Sequence, residues 1–68
     1  MEIKKGQKLK VRHSRKGIFN GIALKDFDAT KDEFYPIVLD QDNPIIGEHG
    51  VKGELMPCRK GICRIELR

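Results

Sequence analysis

Lys8-Leu9-Lys10-Val11-Arg12-His13-Ser14-Arg15-Lys16-Gly17-Ile18-Phe19-Asn20-Gly21-Ile22-Ala23-Leu24 reads as a basic strand, a short turn and an apolar strand. In extended backbone, alternate side chains point to opposite faces. Leu9, Val11 and His13 therefore share one face, while Lys8, Lys10 and Arg12 share the other. The first set can enter a core and the second presents cations to water. A helix suits this segment poorly, because at 3.6 residues per turn Leu9 and Val11 point well apart. Gly17 can take the positive φ that a tight turn after Ser14-Arg15-Lys16 needs. Gly21 lies inside the second strand, where glycine marks a bulge, a sharp bend or a close approach of another backbone.

Outward from this hairpin, the remaining segments are also short and mostly strand-like. Residues 1–7 lead in, with Ile3 as the large apolar anchor. Asp26 to Glu33 is a polar loop in which Phe27 is expected to tuck back onto the core, with one helical turn available around Ala29-Thr30-Lys31-Asp32. Phe34-Tyr35-Pro36-Ile37-Val38-Leu39 is aromatic and β-branched and too short for a helix, so it reads as a strand with Tyr35, Ile37 and Leu39 inward. Pro36 has no N–H to give a ladder, which predicts a sheet edge or a bulge at that point. Asp40-Gln41-Asp42-Asn43-Pro44 is turn chemistry, Ile45-Ile46 a short strand or anchor, and Gly47 to Gly53 a glycine-rich loop. Glu54 to Cys58 is a short strand, Arg59-Lys60-Gly61 a turn, and Ile62 to Arg68 a last alternating strand with Cys63, Ile65 and Leu67 inward. The expected fold is one all-β domain over residues 1–68: a small five-stranded barrel of the SH3-like type, or two packed antiparallel sheets.

Charge is unevenly distributed. Residues 1–25 hold eight basic side chains against Glu2, residues 26–48 hold seven acidic ones against Lys31, and residues 49–68 hold five basic ones against Glu54 and Glu66. Such segregation can build one positive and one negative surface. At 68 residues the chain has little room for a deep cleft as well as a core. The start, Met1-Glu2-Ile3-Lys4-Lys5-Gly6, has no apolar stretch, which predicts no signal peptide, and no run is long enough to span a membrane. Two cysteines are too few for a disulfide scaffold, so a cytoplasmic protein with reduced thiols is expected.

Gly6-Gln7-Lys8-Leu9-Lys10-Val11, followed by Lys16-Gly17 and Gly21-Ile22-Ala23, resembles the KOW motif of small SH3-like barrels in ribosomal and transcription proteins. Three residues separate Gly17 from Gly21 where that pattern has about two, and Ala23 stands where it usually has valine. Phe34-Tyr35-Pro36-Ile37-Val38 is similar to the aromatic strand of Tudor-type barrels, with Phe34 in place of tryptophan. Both resemblances imply a small barrel, and a fold by itself does not assign a function.

The strongest chemical feature is the cationic run Lys4, Lys5, Lys8, Lys10, Arg12, Arg15 and Lys16. It suits a surface that tracks phosphates, where each contact releases counterions. It equally suits a solvated strand face that keeps a small domain soluble. The expected contact set for non-sequence-specific RNA or DNA binding is Lys8, Lys10, Arg12, Arg15 and Lys16, helped by Arg59, Lys60 and Arg64. The alternative is a protein-interaction or inhibitor module, using an exposed strand edge or the 40–53 loop, of a size that would suit a phage or mobile-element accessory protein. Asp40-Gln41-Asp42 begins like a calcium loop, but Pro44 takes the next ligand position. Cys58 and Cys63 flank a four-residue turn and could lie side by side across a hairpin, as a labile disulfide or half a metal site with His13 and His49. Their spacing is not that of a zinc pair, which favours plain packing, so no metal or cofactor is expected. His13 has no neighbouring acid in sequence to orient it, and no serine elbow or phosphate loop is present, so no enzyme is expected.

Overall fold

The computed structural model describes residues 1–41 and 51–68. Seven strands follow in order: β1 (Glu2–Ile3), β2 (Lys8–His13), β3 (Gly17–Ala23), β4 (Phe27–Asp28), β5 (Phe34–Leu39), β6 (Leu55–Arg59) and β7 (Cys63–Leu67). They form a two-stranded sheet, β1-β4, and a five-stranded antiparallel sheet ordered β6-β5-β3-β2-β7. The all-β expectation holds among the described residues. The sheet is not a closed barrel: among the described residues no ladder joins its edge strands β6 and β7, and the turn between them carries an isolated bridge from Lys60 to Cys63.

On β2 and β5 the inward face carries the residues that alternation assigns to it, and β3 adds its own. Leu9 and Val11 from β2, Phe19 and Ala23 from β3, and Tyr35, Ile37 and Leu39 from β5 are all buried. Each fully buried Leu, Ile or Phe contributes roughly 1.5–3 kcal/mol relative to exposure. The small sheet completes this core. Ile3 of β1 and Phe27 of β4 join the same cluster, and Phe27 stacks on Tyr35 with ring centroids 5.1 Å apart. Phe27 thus covers the core as expected, but from a strand rather than a loop. Beyond it, one helical turn forms as expected over Ala29-Thr30-Lys31-Asp32, closed by the Asp32 amide donating to Asp28 O at 2.9 Å, with the Thr30 amide donating to Asp28 Oδ1 at 2.8 Å.

Three further expectations are corrected. Pro36 lies in an interior strand, flanked by β3 and β6. It is tolerated because β3–β5 pairing ends at Ala23 opposite Ile37, and facing Pro36 it is the Leu24 amide that donates, to the Pro36 carbonyl at 2.7 Å. Leu67 is exposed, because β7 is an edge strand that leaves the core as it runs: Cys63 is buried, Ile65 half-buried and Leu67 open to water. Cys58 and Cys63 do lie side by side, thiol to thiol, but not across a hairpin ladder, since β6 and β7 are not paired. The expected turn beyond Gln41, the Ile45-Ile46 segment, His49 and most of the 40–53 loop lie outside the described residues.

Candidate nucleic-acid interface

Pairing register decides which cations meet. On β2, Lys8, Lys10 and Arg12 face away from the core that Leu9, Val11 and His13 enter. Across the β2–β7 pair, Arg12 stands opposite Arg64 and Lys10 opposite Glu66. Arg15 and Lys16 follow in the turn that Gly17, at φ 83°, allows to close. The structure therefore brings Lys8, Lys10, Arg12 and Arg64 onto one outward face, with Arg15 and Lys16 at its tip.

The Arg12–Arg64 rung is the electrostatic centre of this face. Like charges directly opposite on adjacent strands repel. Glu66 moderates the repulsion, its Oε1 accepting from Arg12 Nε at 2.8 Å. That hydrogen bond and charge, helped by Lys10, hold the Glu66 carboxyl below its usual range and keep it ionised. Both partners are about half exposed, so the pair orients Arg12 more than it stabilises the fold. Beside the rung is a depression of about 580 Å³ walled by Arg12, Ser14, Gly61 and Arg64. Its floor is held by the Ser14 amide donating to Ile62 O at 3.1 Å, which joins the 14–16 turn to the turn before β7.

His13 is structural. Its Nδ1 accepts from the Arg15 and Lys16 amides, each at 3.1 Å, which leaves Nε2 to donate to Pro57 O at 3.1 Å. One ring thus shapes the cationic turn and ties β2 to β6 across the open end of the sheet. Its inward placement agrees with the alternation that sets it on one face with Leu9 and Val11.

Arg59 and Lys60 are set apart from the other expected contacts. The Arg59 guanidinium lies 4.9 Å from the Phe34 ring centre, on the outer side of β5 and β6. Lys60 Nζ donates to Thr30 O at 3.3 Å, beside the acidic 28–33 turn. Both follow from β6 and β7 occupying opposite sheet edges, a fact of topology that residue spacing does not reveal.

Two other groups were missed in the sequence. Arg68 sends Nε to Leu9 O at 2.9 Å and Nη2 to Gly21 O at 3.1 Å and Asp40 Oδ2 at 2.6 Å, crossing the end of the sheet. The outer faces of β5 and β6 carry the exposed side chains of Phe34 and Leu55. The signal for the second was present, since Phe34 alternates away from Tyr35, Ile37 and Leu39.

The thiols are free and buried, with Cys58 and Cys63 hydrogen-bonded to each other. Burial first, then the neighbouring Cys63, pushes the Cys58 thiol far up, so it is a poor nucleophile. Among the described residues no three His, Cys, Asp or Glu side chains group as metal ligands. Among the same described residues no helix is long and apolar enough to cross a membrane. No family model, curated protein or solved structure matches the chain.

Proposed function

We propose that the five-stranded sheet is an open SH3-like barrel and that it binds the sugar–phosphate backbone of RNA or DNA without reading sequence. Strand order supports the fold: a four-strand meander, β2-β3-β5-β6, from which β7 returns beside β2. The segment that resembles the KOW motif falls on the β2–β3 hairpin. The observation that carries the function is the Arg12–Arg64 rung over the Ser14 depression, continued by Lys8 and Lys10 along β2 and by Arg15 and Lys16 in the turn. Two guanidiniums facing each other at an open surface are relieved by an oxyanion between them, and arginine suits phosphate geometry. Phosphate contacts position a protein on nucleic acid without specifying sequence. In this reading the domain has no catalytic role and no cofactor, and works in a cytoplasmic, reduced setting that suits its free thiols.

The test is fluorescence anisotropy of a labelled single-stranded oligonucleotide at rising salt. Four phosphate contacts predict a slope of about −3 in log affinity against log salt. Replacing Lys8 and Arg12 with Glu is expected to abolish binding while leaving the fold intact, because both side chains are exposed. Binding that ignores salt, or no binding at low salt, overturns the reading.

A further inference from the structure

The outer side of β5 and β6 is built from different chemistry. Its cross-strand rungs are Phe34 with Arg59, Pro36 with Pro57, and Val38 with Leu55. Phe34 is 66% and Leu55 63% exposed, and Leu24, 51% exposed, adjoins them through the hydrogen bond that its amide donates to Pro36 O. Leu24, Phe34, Pro36, Leu55 and Pro57 wall a groove of about 430 Å³ that Lys25 also lines, and Arg59 stacks on Phe34 at its border. Contiguous exposed apolar surface of this kind marks an interaction site.

The groove's own residues select among occupants. Strand addition at the β6 edge is disfavoured, since Pro57 in its middle has no N–H and its carbonyl already accepts from His13. A ligand therefore engages the face through side chains. Stacked bases fit poorly: Arg59 already lies over Phe34, and the neighbouring floor is prolyl and aliphatic. A second copy would bring its own Lys25 and Arg59 against this cationic border. An apolar side chain next to a carboxylate matches both the floor and the border.

We propose that the β5–β6 face docks an extended peptide segment of a protein partner, with an aliphatic or prolyl side chain among Phe34, Pro36 and Leu55 and an adjacent Asp or Glu paired with Lys25 or Arg59. The site is separate from the basic face of β2 and does not depend on nucleic-acid binding.

The experiment selects peptides from a random display library on the full chain, then measures the enriched synthetic peptides against variants. Enriched sequences are expected to place Asp or Glu within two residues of an aliphatic or prolyl residue. Leu55→Asp, at an exposed position, is expected to weaken them by roughly tenfold or more. Lys25→Glu together with Arg59→Glu weakens them several-fold, and Lys8→Glu with Arg12→Glu leaves them unchanged. Amide shifts on binding should centre on β5, β6 and residues 24–25. Four results overturn the proposal: no enrichment over the Leu55→Asp variant, enriched peptides lacking acidic residues, self-association that Leu55→Asp removes, or an oligonucleotide that occupies the Phe34 surface.

Discussion

Gly21 has no side chain because β5 occupies the space one would need. A Cβ there would lie 2.5 Å from Ile37 Cγ2 and 3.3 Å from Val38 O. Ile37 is fully buried, so its methyl has nowhere to retreat. Of the three meanings glycine carries inside a strand, close approach is the one realised. Gly21→Ala is expected to cost about 2 kcal/mol through overpacking, read as a lower urea midpoint with an unchanged slope. An unchanged midpoint would mean that β3 and β5 can separate freely at this rung. His13 illustrates the same scale differently. Its position on the inward face is visible in the alternation, but the bond to Pro57 O spans 44 residues of sequence and depends on the fold bringing β6 to that end.

At the scale of elements, β2 and β7 share one ladder in which opposite and like charges alternate. Lys10 faces Glu66, and Arg12 faces Arg64 while also binding Glu66 diagonally. Glu66 is thus the carboxylate planted within the proposed phosphate-binding face. Glu66→Gln removes that charge and frees Arg12, at little cost to stability because the pair is exposed. It is expected to tighten oligonucleotide binding by about two- to fivefold at low salt and to steepen the salt slope. Weaker binding would show that Glu66 positions Arg12 productively rather than competing for it.

At the scale of the molecule, an open sheet must be held together where its ladders stop. The described residues do this at both ends. His13 spans β2 and β6 at one end, and Arg68 crosses from β7 over β2 and β3 to Asp40 just past β5 at the other. The hydrogen bond from Arg68, then its charge, hold the Asp40 carboxyl below its ordinary value. Below about pH 4 the unfolded chain therefore takes up this proton before the folded chain does. The stabilisation is complete above that range and is lost as pH falls through the depressed folded value. Asp40→Asn is expected to lower the thermal midpoint at neutral pH and to lose less on acidification than the parent chain. Parallel acid limbs for the two proteins, followed by circular dichroism, would contradict the coupling.

Alternation was enough to assign the five strands of the larger sheet and most of the core, while β1 and β4 read as a lead-in and a loop. Leu9, Val11, Tyr35, Ile37 and Leu39 follow from a period of two, and Gly17 follows from the turn it must close. It also placed Lys8, Lys10 and Arg12 outward together, because neighbours on one strand need no partner to define their face. Tertiary structure alone decided what lies beside them. Local periodicity says which face a residue takes, but strand order and register are set by contacts between distant segments. That is why Arg64 joins Arg12, why Arg59 goes to Phe34 instead, why Leu67 runs out of core, and why Ile3 and Phe27 pair into a second sheet over the first.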